Sequence, residues 1–89
     1  MKRVRVTVTG RVQGVFFRAT CARLARAAGL GGYVRNLPDG RLEAVFEGDN
    51  TAVDAMVDWA GRGPDLAVVE SVEAVPEDPV GDTTFRVSR

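Results

Sequence analysis

Val4, Val6 and Val8 alternate with Arg3, Arg5, Thr7 and Thr9, a period of two that predicts a strand over residues 3–9 with one buried face. Beyond a glycine-punctuated stretch the period changes. Phe17, Cys21, Leu24, Ala25 and Ala28 recur at helical spacing and predict a helix from Phe17 to Ala28, ended by Gly29. A second strand is predicted at 32–36, and Pro38-Asp39-Gly40 turns the chain back. In the third strand, 41–47, Leu42, Ala44 and Phe46 alternate with Arg41, Glu43 and Glu47, making a hairpin.

A second helix follows, with Val53, Met56, Val57 and Ala60 on one face. Asp49 or Asn50 is positioned to cap it, Thr51-Ala52-Val53-Asp54 resembles a capping box, and Gly61 to Pro64 stops it. Residues 67–75 return to strand character with Val68, Val72 and Ala74 on one face. After the loop Pro76–Asp82, Thr83 to Ser88 supply a short last strand through Phe85 and Val87. The order strand, helix, strand, strand, helix, strand is the split βαβ pattern. It predicts an α+β fold, a ferredoxin-like α/β sandwich with an antiparallel sheet, both helices on one face and a short extra C-terminal strand.

At 89 residues the chain is expected to form a single domain, residues 1–89, with room for one core and one site. With 45% hydrophobic and 27% charged residues it has the profile of a globular protein rather than a disordered one. Met1-Lys2-Arg3 leads straight into the first strand and no long apolar run occurs, so a cytoplasmic protein without membrane association is expected. Cys21 is the only cysteine and histidine is absent, which removes disulfides, the usual zinc sites and any Ser-His or Cys-His nucleophile pair. On its apolar stripe Cys21 reads as a buried, inert thiol. Trp59 and Met56 read as packing residues, Asp54 and Asp58 as a solvated helix face.

The net charge of zero hides an asymmetry: residues 1–41 carry nine basic side chains and one acid, residues 42–89 three basic side chains and eleven acids. One reading is an anion-attracting surface built by the first half; the other is that the halves interleave in one sheet and the charges keep its faces wet.

Two segments carry candidate chemistry. Gly10-Arg11-Val12-Gln13-Gly14-Val15-Phe16-Phe17-Arg18 runs from a strand through a loop into a helix, where backbone N–H groups converge and favour an anion. Gly10 and Gly14 permit a sharp bend, and Gln13, Gly14, Val15, Phe16 and Phe17 then offer main-chain donors. Arg18 adds a planar, fully charged fork matching two phosphoryl oxygens. At about 4 Å and an effective dielectric near 20, one such charge pair is worth roughly 4 kcal/mol before desolvation. In the second segment, Gly32-Tyr33-Val34-Arg35-Asn36-Leu37-Pro38-Asp39-Gly40, Asn36 stands where a strand gives out into a turn. Spacing alone also fits a tight turn with an exposed arginine, and a turn-forming asparagine. The first segment is neither a Walker A sequence nor a dinucleotide fingerprint.

The two segments together resemble the signatures of the acylphosphatase family. One is a glycine, any residue, Val-Gln-Gly-Val, any residue, an aromatic and arginine, met from Gly10 to Arg18. The other is met by Gly32, Tyr33, Val34, Arg35, Asn36 and Gly40. Gly48 matches the glycine after the third strand, and Leu42 stands where the family often has valine, a conservative core change. The resemblance implies a hydrolase of acid anhydrides that splits the carboxyl–phosphate bond of acyl phosphates. It implies that Arg18 and the loop amides hold the phosphoryl group and that Asn36 orients the attacking water. It further implies no metal, no cofactor and no phosphoenzyme, with inorganic phosphate as product and inhibitor, and a monomer is the expected state. A carboxylate leaves readily and phosphoryl transfer has a loose transition state, so positioning and charge can dominate without a strong base.

Other occupants of the same fold fit less well. An RNA-binding module needs sheet-face aromatics in an RNP1-like run, which Arg41 to Glu47 lacks, so no nucleic-acid partner is expected. A metallochaperone needs Cys-x-x-Cys in its first loop. A non-catalytic module binding phosphate or carbamoyl phosphate remains the alternative to an enzyme.

Overall fold

The computed structural model describes residues 1–88; Arg89 lies outside the described residues. The chain runs β1 (Lys2–Arg11), α1 (Phe17–Ala27), β2 (Gly31–Asn36), β3 (Leu42–Gly48), α2 (Asn50–Ala60), β4 (Val68–Glu77) and β5 (Phe85–Val87). The strands form one sheet in the order β4-β1-β3-β2-β5, antiparallel except for β5, which pairs in parallel with β2. The sandwich expected from the sequence is therefore present, with β5 making the sheet mixed at one edge.

Both helices cover the face carrying Val4, Val6, Val8, Val34, Ala44 and Phe46, and these join Phe17, Cys21, Ala25, Val53, Met56 and Ala60 in one core. Helix α2 begins with the Asp49 carboxylate accepting from the Ala52 amide at 3.2 Å, which fixes the cap that the sequence left between Asp49 and Asn50. Phe17 meets Trp59 edge to face at 5.1 Å and joins the two helices.

Two local departures from simple alternation matter. A bulge between Thr9 and Gly10 leaves Gly10 opposite Val69, so that Val69 packs on the core while Val68 is exposed. Gly10 has φ 137° and an added Cβ there would fall 2.1 Å from the Val68 carbonyl oxygen, so this glycine serves the close approach of β4. The second departure is Glu47. Alternation places it among the polar positions of β3, yet it is fully buried. Its carboxylate accepts from the amides of Val80 (3.0 Å), Gly81 (2.7 Å) and Asp82 (3.0 Å) and from the Arg3 guanidinium (3.0 Å). This cage holds the segment between β4 and β5 and so places β5. The strand itself is secured by Phe85 stacking on Phe46 at 5.7 Å and by Arg26 donating to the Phe85 carbonyl at 3.0 Å.

The Val80 amide, with those of Gly81 and Asp82 and the Arg3 guanidinium, holds the Glu47 carboxyl below its ordinary 4.5 although burial opposes this. A depressed native value means stabilisation that is complete above the ordinary value and lost as pH falls through the native one. Asp82, depressed by its bond from Arg86, adds to the same trend. Amide hydrogen exchange at Val80, Gly81 and Asp82 is therefore expected to lose protection in acid before the core does. Glu47→Gln, with one acceptor oxygen in place of two, is expected to show that loss already at neutral pH. Equal protection of these amides in acid and in the variant would contradict the cage.

Candidate functional site

Between β1 and α1 the chain alternates buried and exposed residues: Val12 is 1% and Val15 6% exposed, while Gly14 and Phe16 face outward. To bury both valines within four residues the backbone turns left-handed at Gly14 (φ 72°) and again at Phe16 (φ 64°, ψ 21°). For phenylalanine that conformation costs about 1–2 kcal/mol. Phe16 is the N-cap of α1 and offers no side-chain cap, and no acidic residue occupies the first turn. The first intrahelical bond runs from the Thr20 amide to the Phe16 carbonyl at 3.1 Å, so the preceding first-turn amides have no helical acceptor. A helix start left in this way is electropositive and matches an anion.

These residues open on a cleft of about 430 Å3 lined by Gly14, Phe16, Phe17, Arg18 and Asn36, with Val12, Ala19 and Val87. Arg18 and Asn36, eighteen positions apart in sequence, thus share one site. Arg18 enters no ion pair among the described residues and is the single charged group of the lining. Asn36 ends β2 opposite the buried Leu42. Its Oδ1 is buried and accepts no hydrogen bond among the described residues. An unpaired buried acceptor costs about 1–3 kcal/mol unless a donor reaches it.

Of the loop residues named from the sequence, Gly14, Phe16, Phe17 and Arg18 line the cleft, whereas Gln13 and Val15 do not. Val15 packs in the core. The Gln13 side chain turns to the β2–β3 hairpin, where its Nε2 donates to the carbonyls of Leu37 (2.8 Å) and Arg41 (3.0 Å). The same turn is closed by the Leu37 amide donating to the Arg41 carbonyl at 2.8 Å. Gln13 therefore ties the loop before Arg18 to the turn after Asn36, a side-chain role that its position between two glycines did not reveal. Val87 reaches the cleft through the parallel pairing of β5 with β2, which no local pattern signals.

The charge asymmetry is absorbed in part by ion pairs between the two halves. Lys2 pairs with Asp54, Arg3 with Glu47 and Glu77, Arg5 with Glu77, and Arg35 with Glu43, each joining the basic first half to the acidic second. Arg18 is left to the cleft. Cys21 is fully buried, and burial pushes its thiol up to about 12, which leaves no thiolate for chemistry near neutrality. No helix among the described residues is long and apolar enough to cross a membrane.

Removing the Gln13 tether is expected to loosen the two halves of the site against each other. Gln13→Ala should cut turnover about tenfold and cost about 1 kcal/mol of stability, the net worth of a typical internal hydrogen bond. Initial rates and urea denaturation of the variant check both, and wild-type turnover in the variant would remove the tether from the account.

Comparison with known proteins covers nearly the whole chain. A family model described as Acylphosphatase matches residues 4–87. An acylphosphatase of Gloeobacter violaceus is 52% identical over 98% of this chain and 94% of its own, and one of Methylococcus capsulatus is 53% identical over 100% and 98%. Among solved structures, the acylphosphatase of Bacillus subtilis superposes with a TM-score of 0.94 at 31% identity, covering 100% of both chains. With its fold and its sequence both matched along nearly the whole length, the chain belongs to the acylphosphatase family.

Proposed function

We propose that this acylphosphatase hydrolyses its acyl phosphate substrates in the cleft at the start of α1, with Arg18 and Asn36 in separate roles. The observation that carries this reading is the convergence of one unpaired arginine, an uncapped helix start and one buried unpaired asparagine acceptor on a single cleft. Arg18 and the main-chain donors of the loop grip the phosphoryl oxygens, where a cation and fixed N–H dipoles stabilise the charge of the transition state. Asn36 places the attacking water: its Oδ1 accepts one water hydrogen and turns the oxygen lone pair toward phosphorus. Bond breaking to the carboxylate leads, so the water needs orientation more than deprotonation.

The products are the free carboxylate and inorganic phosphate, and the latter inhibits by occupying the same cradle. The reaction runs without a metal, because the described residues lining the cleft include no carboxylate, imidazole or thiol to hold one. The chain acts as a single domain, a cytoplasmic monomer, with small molecules rather than nucleic acid as its partners.

The two roles separate in kinetics. Arg18→Lys keeps the charge and loses the two-point fork, so it is expected to weaken inhibition by inorganic phosphate and to slow turnover together. Asn36→Ala is expected to leave phosphate inhibition near the wild-type value while lowering turnover about a hundredfold or more. Both are measured from initial rates on an aromatic acyl phosphate in excess chelator. Loss of phosphate inhibition in Asn36→Ala, or an Arg18→Lys enzyme unchanged in both quantities, reverses the assignment. Wild-type activity that disappears with chelator and returns with a divalent metal ends the metal-free reading.

A further inference from the structure

Phe16 and Val87 are apolar side chains that the core does not account for. Phe16 is 73% exposed and is the one non-glycine residue with positive φ among the described residues, so an aromatic ring is held out in solvent on a strained backbone. Val87 is 42% exposed at the end of β5, a strand fixed in place by the Glu47 cage and by the Ser88 amide donating to the Val34 carbonyl at 2.8 Å. Both line the cleft that holds Arg18 and Asn36.

That cleft, at about 430 Å3, lies in the range of sites that enclose a whole small molecule, roughly 300–1,000 Å3, and exceeds what a phosphoryl group alone requires. Once Arg18 and the loop amides are assigned to phosphate and Asn36 to water, the remaining lining side chains are apolar. They offer no charge and no hydrogen-bonding group to a polar substituent on the acyl side. A carboxylate or ammonium carried there would lose water without gaining a partner. An aromatic ring or branched hydrocarbon would instead cover Phe16 and Val87 and release the water they now order.

Resting on the reading of the cleft given above, we propose that Phe16 and Val87 form the wall that seats the acyl group. The preferred substrates are then acyl phosphates with an aromatic or branched aliphatic acyl group, and these two side chains set the preference. Exposure follows from this role: the wall is completed by the substrate, so neither side chain is covered until one binds. Because the main chain of Phe16 belongs to the cradle while its side chain and that of Val87 lie outside the phosphate and water positions, the two side chains act mainly through KM.

The test compares kcat/KM for benzoyl, acetyl and succinyl phosphates in wild type, Val87→Ser, Val87→Lys and Phe16→Ala. Differences in intrinsic leaving-group reactivity cancel when the ratio between two substrates is compared across enzymes. The benzoyl-to-acetyl ratio is expected to fall about fivefold or more in Val87→Ser and in Phe16→Ala, chiefly through a higher KM for benzoyl phosphate. Inhibition of Val87→Ser by inorganic phosphate should stay at the wild-type value, which a general disturbance of the site would not allow. Val87→Lys should raise the succinyl-to-benzoyl ratio by supplying the missing partner for the second carboxylate. Ratios that remain at wild-type values in all three variants overturn the acyl wall while leaving the phosphate cradle intact. A wild-type enzyme that hydrolyses none of the three substrates overturns the reading of the cleft itself, and the wall with it.

Discussion

The burial of Val12 and Val15 on either side of Gly14 forces the connection between β1 and α1 through left-handed turns, and the site is what those turns leave exposed. Burying a valine fully is worth about 1.5–2 kcal/mol, so the pair outweighs the strain of about 1–2 kcal/mol at Phe16. The strained residue then cannot cap the helix it begins, and the first-turn amides stay available. Arg18 lies in the first turn of α1 and lines the cleft. Packing energy from two apolar side chains is in this way converted into a fixed set of donors, which need not reorganise when charge develops on a phosphoryl group.

The second half of the site is brought up by the sheet. Asn36 ends β2 because the hairpin turns there, and Gln13 pins that turn to the loop with two hydrogen bonds. The far wall arrives from the C-terminus: Glu47, a buried carboxylate with four donors around it, holds the segment that delivers β5 and Val87. Three stretches distant in sequence thus meet through one side-chain amide, one carboxylate and one parallel strand pair.

The helices, the hairpin and the pairing of Arg18 with Asn36 were legible in the sequence because each has a short-range signature: a period of 3.6 or 2, a turn motif, or a family pattern. The structure puts Arg18 and Asn36 on one cleft. What stayed hidden depends on long-range register. The bulge at Gly10 exchanged Val69 for Val68 on the core face, and a two-residue alternation cannot anticipate an inserted residue. Glu47 looked like one more polar position of β3, since nothing local says that three amides more than thirty residues later will close over it. Charge behaved likewise: Lys2, Arg3, Arg5 and Arg35 are matched by acids on neighbouring strands and on α2, and only the assembled fold shows that Arg18, which enters no ion pair among the described residues, is the arginine that lines the cleft.

The central claim is that the start of α1, with Arg18, is where phosphate binds. Titration of the isotope-labelled protein with inorganic phosphate, followed through amide chemical shifts, addresses it directly. The account predicts saturable shifts concentrated at the amides of Gly14 to Ala19 and at the Asn36 side chain, absent in Arg18→Ala. Shifts centred instead on the polar hollow of Thr7, Thr9, Arg41 and Ser71 on the opposite face of the sheet, or unchanged binding in Arg18→Ala, would contradict it.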